Sequence, residues 1–98
     1  MNKDEIIEKI SEHLKTRGGF PHDWYVGISQ NVETRLFVNH RVDKEKDKWI
    51  YIPTNSGHEA REIEDYFVKR IGTGGGPGGG DDGAKMVYAY KKAPHTEP

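Results

Sequence analysis

Apolar positions near the start of the chain recur at helical spacing. Ile6, Ile7, Ile10 and Leu14 fall three or four apart along one face, which predicts an amphipathic helix over about 3–16. Asn2 is placed to cap it, Asp4 and Glu5 occupy the first turn, where the helix dipole favours acid, and Gly18-Gly19 stop it. His13 falls on the solvated side of this pattern. After a short connector, Phe20 to Asp23, the period drops to two. Trp24, Val26 and Ile28 alternate with Tyr25, Gly27 and Ser29. A strand over 24–29 thus turns an apolar set towards a core and a small, polar set around one tyrosine the other way, which suits a surface that a ligand approaches. Asn31 and Glu33 open a second helix, about 32–40. There Val32, Leu36 and Phe37 point inward and Arg35 lies at the edge of that face.

The second half repeats this alternation of element types. Asp43 to Lys48 alternate in sign and form a solvated loop. Trp49 to Ile52 read as a strand closed by Pro53. Ser56 and Glu59 have the spacing of a capping box ahead of a helix from 57 to about 71, whose apolar stripe is Ala60, Ile63, Phe67 and Ile71. Glu64 falls beside that stripe, either at its boundary or aimed into a cleft. Eight of the twelve residues 72–83 are glycine, a low-complexity loop. Met86 to Tyr90 form a third strand with Tyr88 and Tyr90 on one face, and 93–98 read as a disordered polar tail. The order α-β-α-β-α-β predicts an α+β fold: a small three-stranded, mostly antiparallel sheet flanked by three helices, as one domain over 1–92.

Composition narrows the function classes. With 98 residues there is material for one modest core. The chain has no cysteine, which excludes disulfides and thiolate metal sites. No apolar run reaches membrane length and no signal pattern opens the chain, so a cytoplasmic protein without a membrane partner is expected. A net charge of −1 argues against the basic field of a nonspecific DNA binder. The glycine loop is not a P-loop: no Gly-Lys-Ser/Thr follows, and it runs from helix to strand, the reverse of that motif. Asp81-Asp82-Gly83 is too short for a calcium loop. The loop is either a flexible connector or, folded over Tyr25 and Arg35, a lid.

Tyr25-Val26-Gly27, followed ten positions after the tyrosine by Arg35, resembles the second half of the GIY-YIG nuclease signature. In that family a histidine often follows the arginine by four; here His40 follows by five. A later strand and helix carry a metal-binding glutamate, often as Ala-x-x-x-Glu, and Trp49 to Ile52 with Ala60 and Glu64 match that arrangement. The resemblance covers about residues 24–71. The first signature, a Gly-Ile-Tyr strand, is absent ahead of Tyr25. The third strand is expected to fill that position in the sheet by a circular rearrangement, Tyr88 or Tyr90 replacing the missing tyrosine.

The resemblance implies a GIY-YIG-like fold and a metal-dependent endonuclease acting on nucleic-acid phosphodiesters, with DNA as partner. Glu64 would bind Mg²⁺ or Mn²⁺, Arg35 would hold the phosphate, and Tyr25 with His40 would position water. Those roles suit the reaction, which needs a Lewis acid, a cation clamp and a base near the attacking water. Two alternatives stay open on the residues alone. One is a non-catalytic module that uses the same cleft to hold a phosphate-bearing ligand, nucleic acid or a protein partner. The other is a structural interaction domain in which Arg35 pairs with Glu64.

Overall fold

The computed structural model describes residues 1–75 and 83–98. The centre of the glycine loop, 76–82, and with it the expected lid, lies outside the described residues. The protein is α+β: a three-stranded antiparallel sheet with three helical segments. Helix α1 spans Lys3–Arg17, and its capping box is complete: the Asn2 side chain accepts from the Glu5 N–H and Glu5 accepts from the Asn2 N–H. Strand β1 spans Trp24–Ser29, β2 Trp49–Pro53 and β3 Met86–Lys91.

The strand order is β1-β3-β2. The third strand in sequence is therefore the central one, antiparallel to both neighbours. Tyr88 lies opposite Gly27 on one side and Tyr51 on the other; Tyr90 lies opposite Tyr25 and Trp49. The alternation read from the sequence divides the sheet into two faces. Trp24, Val26, Ile28, Ile52, Val87 and Ala89 turn towards α1 and α2 (Gly57–Asp65), where Ile6, Ile10, Leu14, Ala60 and Ile63 complete the main core. Full burial of each of these large aliphatic side chains contributes roughly 1.5–3 kcal/mol. Tyr88 and Tyr90 turn the opposite way and meet Val32, Leu36 and Val42.

Local structure departs from the sequence pattern in four places. His13 is half-buried rather than on the solvated side: it stands edge-on to Trp24 with ring centroids 5.5 Å apart. The Ser56 cap accepts from the Glu59 N–H, but Glu59 reaches back to the Asn55 N–H, one residue earlier than a capping box requires. The helix after Asn31 widens into a π-helical turn over Thr34–Asn39, and α2 continues into another over Tyr66–Ile71. The C-terminal segment, read as a disordered tail, is folded. Ala93 and Thr96 close a turn, and the Glu97 N–H donates to the His40 carbonyl at 2.8 Å. No helix among the described residues is long and apolar enough to cross a membrane.

Candidate functional site

The face of the sheet away from the main core gathers most of the candidate residues. β1 contributes Tyr25 and Gly27, β3 contributes Tyr88 and Tyr90, and the π-helical segment delivers Arg35 and His40. A π turn closes N–H to C=O bonds over five residues rather than four. The His40 N–H accordingly donates to the Arg35 carbonyl at 2.9 Å. The spacing of five that separates these residues in the sequence thus places both on one side of the turn.

His40 is 5 % exposed and held at both ring nitrogens. Its Nδ1 lies 2.6 Å from the Glu97 carbonyl oxygen and its Nε2 lies 2.7 Å from the Tyr88 hydroxyl. A carbonyl can only accept, so Nδ1 carries the proton in the neutral ring. Nε2 is then the acceptor, and the Tyr88 hydroxyl donates to it. The Tyr90 hydroxyl donates to the same Glu97 carbonyl at 3.3 Å. Burial pushes the His40 imidazole below its ordinary range and Arg35 pushes it the same way, while the bond to Glu97 opposes them. His40 is therefore neutral at neutral pH and available as a base.

Tyr88 is 1 % exposed, and its ring crosses Gly27. A Cβ at Gly27 would lie 2.5 Å from the Tyr88 oxygen, so only glycine lets the ring lie there. Burial raises the Tyr88 phenol strongly, Tyr25 adds to the rise, and the nearby Arg35 guanidinium offsets part of it. Tyr25 is half-buried. Its ring packs against His40 at 4.8 Å and against Tyr90 at 5.3 Å. Burial raises its phenol, Glu64 raises it further, and Arg35 lowers it.

Glu64 stands in the other layer, on the helix that packs against the main core, and its charge acts on Tyr25. It is 2 % exposed, and its Oε1 has no hydrogen-bond partner among the described residues. Burial raises its carboxyl to about 7, with Asp65 adding to the shift and Arg61 opposing it. Among the described residues no ion pair joins Arg35 to Glu64, so the structural pairing considered from the sequence does not form.

Tyr25, Arg35 and His40 are thus brought together, and Glu64 lies within electrostatic reach of Tyr25. Two members were not fixed by sequence reasoning. The sequence offers Tyr88 and Tyr90 alike, and in the structure it is Tyr88 that lies across Gly27 and meets His40 Nε2. The Glu97 carbonyl carries no signal in the sequence, because a backbone acceptor has no residue type. A buried, unpartnered carboxylate fits a single cation ligand, but no group of three or more metal-binding side chains occurs among the described residues. A cation on Glu64 would complete its shell with water and substrate phosphate, as Mg²⁺ commonly does. The start of the glycine loop borders the site: Gly74 bridges Tyr25, and its carbonyl accepts from the Val26 N–H at 2.9 Å. No family model, curated protein or solved structure matches the chain.

Proposed function

We propose that the chain is a divergent, circularly rearranged GIY-YIG-type domain that hydrolyses nucleic-acid phosphodiesters with Mg²⁺ or Mn²⁺. The observation that carries this reading is the position of Tyr88. The strand Met86–Lys91 pairs with both β1 and β2, and its tyrosine lies across Gly27, donates to His40 and stands beside Arg35. A rearranged version of the missing first signature would place its tyrosine in that slot.

In this reading Tyr25 and Arg35, both half-buried, meet the phosphate first. Arg35 stabilises charge that develops on the phosphoryl oxygens. Tyr88 relays a proton: as its oxygen accepts one from the attacking water, its own passes to the Nε2 of neutral His40, so no free phenolate forms where burial disfavours one. The Glu97 carbonyl stabilises the imidazolium that results. Glu64 would hold the cation, whose role when bound is to polarise the phosphate as a Lewis acid.

The test is a cleavage assay on supercoiled, linear and branched DNA with Mg²⁺ or Mn²⁺. Cleavage by the wild-type chain is expected, with losses of about 10²-fold or more in Arg35→Ala and Glu64→Gln. Absence of cleavage on every substrate by folded wild type would sink the nuclease reading. A second reading has one observation in its favour, the depth of Tyr88 and His40: the face would then be a non-catalytic site for a phosphate-bearing ligand. DNA binding without cleavage, lost in Arg35→Ala, would select it.

A further inference from the structure

The C-terminal segment does more than pack. Two short contacts tie one residue to one histidine: the Glu97 N–H donates to the His40 carbonyl at 2.8 Å, and the His40 Nδ1 lies 2.6 Å from the Glu97 carbonyl oxygen. Three other contacts hold the segment in place. Thr96 closes the turn on Ala93, His95 meets Asp47, and Arg41 Nε lies 3.8 Å from the Glu97 carboxylate. The Arg41 contact is an exposed ion pair of small individual value. The turn and the paired backbone bonds therefore set where the Glu97 carbonyl points.

That direction has a chemical consequence. Neutral imidazole carries one proton, and in water Nε2–H is the more populated tautomer. A histidine with its proton on Nε2 would present a donor to Tyr88 and could not take the phenol's proton. The carbonyl at Nδ1 reverses this preference, because an unprotonated Nδ1 facing a carbonyl oxygen at 2.6 Å would set two lone pairs against each other. We propose that Glu97, through its backbone carbonyl, is a positioning residue: it locks His40 in the Nδ1–H tautomer so that Nε2 accepts from Tyr88. The residue acts through His40 and touches no substrate. The proposal rests on the nuclease reading only for its effect on rate; the tautomer is a property of the folded chain itself.

The test separates the two. The ¹⁵N chemical shifts of the His40 ring, measured above the pH at which it titrates, report which nitrogen carries the proton. In the full chain the Nδ1–H form is expected to dominate, and Glu97→Ala, which keeps the backbone, is expected to retain it. A chain ending at Lys92, and the Glu97→Pro variant, which loses the N–H that anchors the segment, are expected to shift His40 towards the Nε2–H form. If the wild-type ring carries its proton on Nε2, the proposal is overturned without any variant and whether or not the truncated chain folds. It is equally overturned if a folded truncated chain keeps the Nδ1–H form. Where the wild type cleaves DNA, the truncated chain should lose about tenfold or more in kcat with KM little changed; cleavage at the wild-type rate overturns the positioning role. Absence of cleavage by wild type bears on the nuclease reading and leaves the tautomer result intact.

Discussion

Glu64 is buried with an unpartnered oxygen, so its charged form costs stability. Its carboxyl is raised to about 7 against an ordinary 4.5. Between those values the folded chain holds a proton that the unfolded chain has released, so stability falls as pH rises through that window and levels off above it. At about 1.4 kcal/mol per unit the loss is of order 3 kcal/mol. Thermal unfolding across pH 4.5–8 should show this slope in wild type and not in Glu64→Gln, which should be the more stable chain at pH 8. Millimolar Mg²⁺ at pH 8 should raise the melting temperature of wild type and leave Glu64→Gln unmoved, since a ligand stabilises only through the state that binds it. Tyrosine removal tests the relay. Tyr88→Phe should lower cleavage about 10²-fold, whereas Tyr90→Phe, whose hydroxyl meets only the Glu97 carbonyl and Nδ1, should cost less than about tenfold. Gly27→Ala forces its methyl into the Tyr88 ring and should destabilise by about 1–3 kcal/mol in a denaturant titration.

At the scale of elements, hydrophobic period was a sufficient guide wherever one face of a strand or helix meets the core. β1 runs over 24–29 as read from the sequence, because Trp24, Val26 and Ile28 all enter one core while Tyr25 does not. The period said nothing about which strands adjoin. Strand order depends on long-range pairing, and the central place of β3 follows from burial on both its faces, with Val87 and Ala89 on one side and Tyr88 and Tyr90 on the other. The π-helical turn was also invisible, because its mark is a missing α-type bond rather than a residue type. That turn gives an element-scale prediction. Val38, 66 % exposed, lies between Arg35 and His40, and deleting it would let an ordinary α-turn join them. The deletion variant should melt within a few degrees of wild type and keep the Tyr88–His40 hydrogen bond, read from the shift of His40 Nε2. Loss of the fold would mean that the π turn is required and not merely tolerated.

Among the described residues there is one sheet, and its central strand is contributed by residues 86–91. β1 and β2 do not pair with each other; each bonds to β3. A chain lacking residues 86–98 should therefore show no cooperative unfolding transition by circular dichroism. The site depends on the same late segment, since Tyr88, Tyr90 and Glu97 all follow residue 85. During synthesis this fixes an order of events. A nascent chain halted before Met86 has emerged holds two strands with no mate between them and exposes the apolar sides of both, so chaperones and proteases meet it before it can fold. A chain cut before residue 86 would carry Arg35 and Glu64 without the strand to which both other strands bond.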